Sequence, residues 1–362
     1  MSSFSRRLPN TRQAPVDSSS TPSRYGFPYP AAMQLLLTQV AADRFGERVR
    51  AVAPDAVLLR MQDDGTILGP DGPVARDDAS PEVAWGTADL FADGHPLGAF
   101  FGLLAHRDSV RWFQSPGAGT DHPVFALLAE RGVRITTAHV NSIPIAEYVV
   151  RAVLDHLQRA GQWRAAQAAS EWRSHEFREV FGTTWLVIGL GSIGREVAVR
   201  ARAFGATVLG SRRSPQGDEP VDGIVAPDDV PGAVGRADVV VVCVPATSRT
   251  VGLVDDAFLE AMRPGSVLVN VGRGTLVDQD ALHRALDRGV PEVALLDVVE
   301  PEPLPATSWL WSHPRVVLTP HNSAGGDGRF GRMADLFTDN LRRWRDGEPL
   351  RNEARPEALA GE

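Results

Sequence analysis

The chain has 362 residues, of which 43% are hydrophobic and 23% charged, and its formal net charge is -8. A single core rarely grows beyond about 250–300 residues, so this length predicts two domains. No apolar run approaches the roughly 20 residues that span a bilayer, and no long basic run is present, so we expect neither a membrane nor a nucleic acid as partner. The lone cysteine, Cys243, excludes an intrachain disulfide and a cysteine metal cage. We therefore expect no metal site and a cytoplasmic location.

The first third of the chain predicts a mixture of short strands and helices. Residues 1–30 are rich in Ser, Pro and Thr, lack the apolar stretch of a signal peptide, and predict a disordered tail. Buried strands are predicted at 56–61, 110–115 and 133–138, with a helix at 123–131 between the last two. Residues 63–79 combine chain breakers with acidic residues and predict a surface excursion.

A change of period marks the middle of the chain. From Pro144 to about Gln167, apolar residues recur at helical spacing without an internal proline, which predicts one long helix. From residue 183 onward, Val-rich runs alternate with helical segments as far as residue 320. Continuous apolar strands of this kind are typical of a parallel sheet covered on both faces, so this part predicts a doubly wound α/β domain.

A glycine-rich turn follows the first of these strands and opens a helix. It contains Gly189, Gly191, Ser192, Ile193 and Gly194, in the spacing of a dinucleotide-binding fingerprint. The glycines permit a tight turn, close approach of a pyrophosphate and close packing of helix on strand, and the helix N-terminus offers N–H groups to phosphate. The alternative is a glycine turn that binds no ligand.

The end of the second strand decides which dinucleotide is expected. An acid about 20 residues beyond the turn normally bonds the ribose 2′-OH of NAD, but Ser211, Arg212 and Arg213 stand there instead. Guanidinium groups match phosphate geometry, so these residues favour NADP(H) over NAD(H). A solvated basic loop, with NAD(H) as cofactor, is the alternative.

Three groups in the last third of the chain fit hydride transfer to a 2-keto acid. Arg273 lies between glycines after a buried strand and can hold a carboxylate and polarise a ketone, while His321 can donate a proton to the developing alkoxide. Glu302 can stabilise the protonated imidazole. On spacing alone, a histidine after a strand is more often structural than catalytic.

These residues lie in motifs that resemble the D-isomer-specific 2-hydroxyacid dehydrogenase family, nearest to its glyoxylate/hydroxypyruvate reductase branch. The resemblance covers about residues 110–352 and includes SPGAGTD, GLGSIG, MRPGSVLVNVGRGTLVD, LDVVEPEPLP and LTPHNSAG. It implies that Arg273 binds substrate, that His321 donates the proton and that Glu302 pairs with His321.

The resemblance also implies the rest of the site and its architecture. Asp297 would lie near the nicotinamide amide, Cys243 and Val271 would line the cofactor, and backbone N–H groups of Ala118 and Gly119 would bind the substrate carboxylate. Family members have two Rossmann-like or flavodoxin-like domains, with the cofactor domain inserted into a split substrate domain. We therefore expect a substrate domain at 31–143 plus 321–352, an NAD(P)-binding domain at 144–320, and a homodimer joined through the cofactor domain.

Three functions are compatible with the sequence. The first is NADP(H)-dependent reduction of a small 2-keto acid such as glyoxylate or hydroxypyruvate. The second is an NAD-linked D-2-hydroxyacid dehydrogenase with another substrate, and the third is a non-catalytic dinucleotide sensor that resembles transcriptional corepressors. Turnover with NADH and NADPH separates the first two, and an absence of turnover with retained cofactor binding identifies the third.

Overall fold

A computed structural model describes residues 33–91, 94–119 and 122–354. The tail predicted for residues 1–30 lies outside them. Within the described residues, no helix is both long and apolar enough to span a membrane.

The first of two sheets has seven strands in the order β4-β3-β2-β1-β5-β6-β7. They are β1 (Gln34–Thr38), β2 (Val57–Met61), β3 (Ile67–Gly69), β4 (Gly72–Val74), β5 (Val83–Trp85), β6 (Trp112–Gln114) and β7 (Arg134–Thr136). Strands β1, β2, β5, β6 and β7 pair in parallel, whereas β3 and β4 form an antiparallel hairpin at one edge. The parallel strands therefore follow a flavodoxin-like order.

The second sheet also has seven strands, in the order β10-β9-β8-β11-β12-β13-β14. They are β8 (Thr184–Ile188), β9 (Thr207–Ser211), β10 (Gly223–Val225), β11 (Val239–Val242), β12 (Val267–Asn270), β13 (Val293–Leu296) and β14 (Val316–Leu318). All neighbouring pairs are parallel. The first six strands follow the order of a dinucleotide-binding sheet, and the strand order changes direction next to β8.

Helices cover the sheets. They are α1 (Gln39–Val52), α2 (Leu97–His106), α3 (Val124–Glu130), α4 (Ser142–Leu157), α5 (Ala160–Ala168), α6 (Ser192–Ala203), α7 (Val230–Val234), α8 (Asp256–Ala261), α9 (Gln279–Asp287) and α10 (Arg329–Asp346). Strands β11 and β12 are buried along their whole length because apolar clusters pack on both sides of the second sheet. The prediction of two α/β domains built on parallel sheets is confirmed.

Helix α10 returns to the first sheet at the end of the chain. Its apolar face, which includes Met333 and Phe337, packs with Leu37, Trp85 and Trp112 in one buried cluster. The ring of Phe337 stacks on that of Trp85 with centroids 4.2 Å apart and an interplanar angle of 8°. The boundaries expected after residues 143 and 320 stay predictions.

Two local predictions need correction. The long helix predicted from Pro144 to Gln167 is wrong, because α4 ends at Leu157 and α5 begins at Ala160 after Arg159, which has a φ of 53°. The freed carbonyl of Leu157 accepts the N–H of Arg178 instead. The surface excursion predicted at 63–79 contains the β3–β4 hairpin, which extends the first sheet.

The stacking of Phe337 on Trp85 gives a stability prediction. Phe337→Ala should lower the free energy of unfolding by about 3–5 kcal/mol, because it leaves a cavity between α10 and the first sheet. Urea unfolding followed by circular dichroism measures this loss. Phe204→Ala is the control, since Phe204 is 47% exposed and should cost much less. Equal losses in the two variants would contradict the packing described for α10.

Candidate active site

The side chains predicted to react lie at one edge of the second sheet. Because β12, β13 and β14 are parallel neighbours, the loops after their carboxyl ends meet at the same edge. Arg273 follows β12, Glu302 follows β13 and His321 follows β14. Ligands of such sheets bind outside the carboxyl ends of the strands.

Glu302 and His321 form a direct pair. Nδ1 of His321 lies 2.7 Å from Oε2 of Glu302, and Oε1 of Glu302 accepts the N–H of Val299 at 3.1 Å. An ionised carboxylate only accepts hydrogen bonds, so Nδ1 carries a proton and Nε2 is the ring nitrogen left to exchange a proton with another molecule. Both side chains are partly exposed, at 49% for His321 and 36% for Glu302, so the pair is open to a ligand.

The backbone around His321 is held by a buried carboxylate. Asp297 is 2% exposed, and its Oδ1 accepts the hydroxyl of Thr319 at 2.6 Å and the N–H groups of Asn322 and Ser323 at 3.0 and 3.1 Å. The N–H of His321 is bonded to the carbonyl of Asp297 at 2.8 Å. This bonding fixes His321 in a left-handed conformation with a φ of 49°. Asp297 therefore controls where the imidazole stands.

Hydrogen bonds to Asn270 and close packing at Gly274 position the loop of Arg273. Asn270 is fully buried, and its side chain accepts the N–H of Gly272 at 3.0 Å and donates to the carbonyl of Arg273 at 2.9 Å. A Cβ atom at Gly274 would overlap the carbonyl of Val299. Only glycine allows this approach, which brings the Arg273 loop against the segment that leads to Glu302.

The glycine turn fits a pyrophosphate. Gly189 has a φ of 103°, and a Cβ at Gly194 would overlap the carbonyl of Gly189, so helix α6 packs closely on β8. At Gly191 a Cβ would meet nothing within 4 Å, and α6 begins there without a side-chain cap. The open space and the uncapped N–H groups of Ser192 and Ile193 are what a bound diphosphate requires.

Other predicted cofactor residues surround this turn. Gly189 donates its N–H to the carbonyl of Ser211 at 2.9 Å, and the thiol of Cys243 lies 3.0 Å from the carbonyl of Gly189. The N–H of Val271 bonds the carbonyl of Val242 at 3.1 Å, which places Val271 next to Cys243 across the sheet edge. Arg213 is exposed, whereas Arg212 is ion-paired with Glu219.

The residues predicted to bind the substrate carboxylate lie next to the first sheet, whereas the residues described so far belong to the second. Ala118 and Gly119 are exposed and follow the carboxyl end of β6. The preceding Gly117 accepts the N–H of Ala138 at 2.9 Å, so the start of this loop is tied to the segment after β7.

Sequence reasoning missed several residues of the site. Oγ of Ser192 lies 3.2 Å from Nδ1 of His139. Burial lowers the pKa of His139, so a neutral imidazole lies beside the glycine turn. Tyr148 on α4 is bonded to the hydroxyl of Thr319 at 2.8 Å. The segment NSIPIAEYVV contains a clue to Tyr148, because its hydroxyl is a polar group in a helix whose buried face is apolar. The sequence contains no such clue to His139.

One histidine cluster lies away from this edge. Single side-chain atoms of His283, Asp287 and His313 lie within 4.8 Å of one another. Nδ1 of His313 accepts the N–H of Arg315 at 3.2 Å, so its Nε2 carries the proton and points towards Asp287 at 3.5 Å. This proton would have to move before Nε2 could bind a metal ion.

Comparison with known proteins identifies the family of this chain. Residues 150–323 match the family model described as D-isomer specific 2-hydroxyacid dehydrogenase, NAD binding domain. A glyoxylate/hydroxypyruvate reductase B from Pectobacterium carotovorum subsp. carotovorum is 32% identical over 265 residues, which are 71% of this chain and 82% of that protein. The chain belongs to the D-isomer-specific 2-hydroxyacid dehydrogenase family. The family resemblance found in the sequence is confirmed.

Two further relatives show the range of the family. A D-3-phosphoglycerate dehydrogenase from Methanocaldococcus jannaschii is 30% identical over 254 residues, 69% of this chain, and the match spans about half of that longer protein, 48%. The crystal structure of a D-isomer specific 2-hydroxyacid dehydrogenase from Xanthobacter autotrophicus Py2, in complex with NADPH and MES, has a TM-score of 0.70 and 26% identity. The match covers 91% of this chain and 99% of the Xanthobacter chain. The first of these relatives is named as a dehydrogenase, and the second is a dehydrogenase solved with NADPH.

The thiol beside the glycine turn gives a test of its surroundings. Burial raises the pKa of Cys243 to about 12, so the thiol stays protonated near neutral pH. Native protein at pH 8 should therefore react with less than about a tenth of an equivalent of Ellman's reagent within minutes. Protein unfolded in guanidinium chloride, the control, should give one equivalent from its single cysteine. Rapid stoichiometric reaction of the native protein would show that the thiol is accessible.

Proposed function

We propose that this protein transfers a hydride between NADP(H) and a small 2-keto or D-2-hydroxy acid, with glyoxylate and hydroxypyruvate as the first candidates. The observation that carries the proposal is the 2.7 Å pair of Glu302 and His321 at the same sheet edge as the Arg273 loop. The reductase name of the Pectobacterium relative and the NADPH complex of the Xanthobacter structure support the substrate class and the cofactor.

The glycine turn and the ends of β9, β11, β12 and β13 are proposed to hold the cofactor. Its diphosphate would bind at the N-terminus of α6, and its adenosine end would face Arg212 and Arg213. The residues assigned to it are Gly189, Gly191, Ser192, Ile193, Gly194, Ser211, Arg212, Arg213, Cys243, Val271 and Asp297. When bound, the nicotinamide supplies or accepts the hydride.

The side chains of the chain itself provide substrate binding and proton transfer. Arg273 holds the substrate carboxylate and polarises the ketone, and Ala118 and Gly119 offer backbone N–H groups to the same carboxylate. Nε2 of His321 donates a proton to the oxygen that becomes the hydroxyl, while Glu302 at Nδ1 stabilises the protonated ring. In the oxidative direction the same nitrogen accepts the proton.

Steady-state assays with glyoxylate, hydroxypyruvate and other 2-keto acids, each with NADPH and NADH, test the proposal. Arg273→Ala should lower kcat/KM by about 100- to 1000-fold, because it removes the positively charged guanidinium that polarises the ketone. His321→Ala should lower kcat by about 100-fold or more with cofactor affinity intact, because it removes the proton donor. His283→Ala, on α9 away from the site, is the control and should retain wild-type kinetics.

The outcomes separate the alternatives. Near-normal turnover of Arg273→Ala or His321→Ala would contradict the assigned roles. A wild-type preference for NADH would contradict the NADP(H) assignment and favour an NAD-linked dehydrogenase. Cofactor binding without turnover on any of these acids would favour a dinucleotide sensor.

We also propose that the protein is a homodimer joined through the cofactor lobe. Four aromatic side chains are exposed on and after α5, with Trp172 fully exposed and Phe181 at 76%; the other two are Trp163 and Phe177. The ring of Trp163 packs on His175 and edge-on to Phe177, so this surface is ordered by its own contacts. Concentrated aromatic exposure of this kind is typical of a protein–protein interface.

Light scattering tests the dimer. The wild-type protein should have twice the 39.0 kDa mass of one chain, and the double variant Trp172→Asp/Phe181→Asp should be a monomer, because buried charge destabilises an apolar interface. Val251→Asp is a control at another exposed apolar residue and should remain dimeric. A monomeric wild type, or a dimeric double variant, would rule out this interface.

The remaining expectations stay predictions. A cytoplasmic location is expected from the single cysteine, and the absence of a nucleic-acid partner is expected from the acidic charge balance.

A further inference from the structure

The loop after β9 is closed by a buried carboxylate. The side chain of Glu219 is 3% exposed although it belongs to a polar surface loop. Its Oε1 accepts the N–H of Gln216 at 2.6 Å, and its Oε2 accepts the N–H of Gly217 at 2.9 Å. A carboxylate with these donors shapes the backbone of the loop it closes.

The same carboxylate holds Arg212. Nη1 of Arg212 donates to Oε1 of Glu219 at 3.0 Å, and the arginine side chain is 22% exposed. A guanidinium has five N–H donors, so one bond to Glu219 leaves others for a further anion. Ser211 ends β9 and accepts the N–H groups of Gly189 and Leu190, which places Arg212 directly beyond the glycine turn.

A second carboxylate holds the loop from outside. Asp218 receives Nη1 and Nη2 of Arg195 at 3.0 and 3.1 Å, and Arg195 lies in the first turns of α6. Asp218 thus ties the loop to the helix but pairs with a different arginine. It gives a control, because it is the neighbouring acid and is also paired with an arginine, but it does not hold Arg212.

We propose that Glu219 is a specificity-determining positioning residue, which fixes Arg212 so that its remaining donors face the 2′ position of the adenosine ribose. This inference rests on the proposed NADP(H) function and adds to it the residue that supports the phosphate-binding arginine. A free arginine loses side-chain entropy when it binds phosphate, which is a free-energy cost. Because Glu219 restricts Arg212 before the ligand arrives, the 2′-phosphate binds without that cost.

The negative charge of Glu219 is offset by the two arginines at the end of β9, Arg212 and Arg213. The backbone N–H of Gln216 is the main cause that holds the pKa of the Glu219 carboxyl below its usual range, and Gly217 and Arg212 act in the same direction. The carboxylate is therefore ionised at neutral pH and already surrounded by donors. Arg212 balances this negative charge, and Arg213 adds an exposed positive charge.

Isothermal titration of the full chain with 2′,5′-ADP and with 5′-AMP isolates the effect of the 2′-phosphate without turnover. The wild-type chain should bind 2′,5′-ADP more tightly. Glu219→Ala should raise the Kd for 2′,5′-ADP by about three- to tenfold and change that for 5′-AMP less than twofold, because only the 2′-phosphate depends on Arg212. Asp218→Asn should leave the ratio of the two constants unchanged.

A double-mutant cycle distinguishes positioning from a direct contact. If Glu219 acts through Arg212, then Glu219→Ala should have no further effect in an Arg212→Ala background. Glu219→Gln, which keeps the side-chain shape and one acceptor, provides a second variant should the alanine variant fold poorly; it should change the ratio in the same direction by a smaller factor. Thermal midpoints identify any unfolded variant.

Each outcome bears on a separate claim. A wild-type chain that binds both ligands equally overturns the NADP(H) preference and this inference with it. A wild-type preference that both Glu219 variants retain overturns the role of Glu219 alone. Equal losses for 2′,5′-ADP and 5′-AMP, or an undiminished effect of Glu219→Ala without Arg212, also overturn it, because the residue would then be merely structural or act independently.

Discussion

The buried carboxylate of Asp297 is the interaction on which the site depends. A charged group that is 2% exposed is tolerated only when its lone pairs are satisfied, and here the partners are the Thr319 hydroxyl and two backbone N–H groups just beyond His321. Those partners come from the loop after the neighbouring strand β14. The requirement to satisfy one anion therefore fixes the turn that presents the imidazole to Glu302.

The parts predicted from sequence are those that local chemistry determines. Runs such as Val239–Val242 are typical of strands covered on both faces. The glycine turn between β8 and α6 needs backbone conformations and contacts that other residues do not allow. The nearness of Glu302 and His321 was expected from resemblance to a family, since spacing alone left His321 undecided. The roles of these residues in catalysis stay predictions until variants are assayed.

The parts that were missed depend on partners far along the chain. At the helix break before Arg159, the carbonyls of Leu157 and Gln158 are bonded to Arg178 and His175, contacts that no helical periodicity reveals. Likewise, Arg212 and Arg213 are alike in sequence, but Glu219 is paired with Arg212. The contact of His139 with Ser192 joins the segment after β7 of the first sheet to the helix after β8 of the second. Periodicity identifies elements well, whereas such pairings require the assembled fold.

The return of α10 to the first sheet has a consequence for folding during synthesis. One face of that sheet, with Leu37, Trp85 and Trp112, lacks the part of its apolar cover that α10 provides until residues 329–346 have left the ribosome. The second sheet and the helices between its strands are contiguous in the chain and can assemble earlier. The part of the chain made first is therefore completed last, and until then its tryptophan side chains are open to chaperones and to premature association.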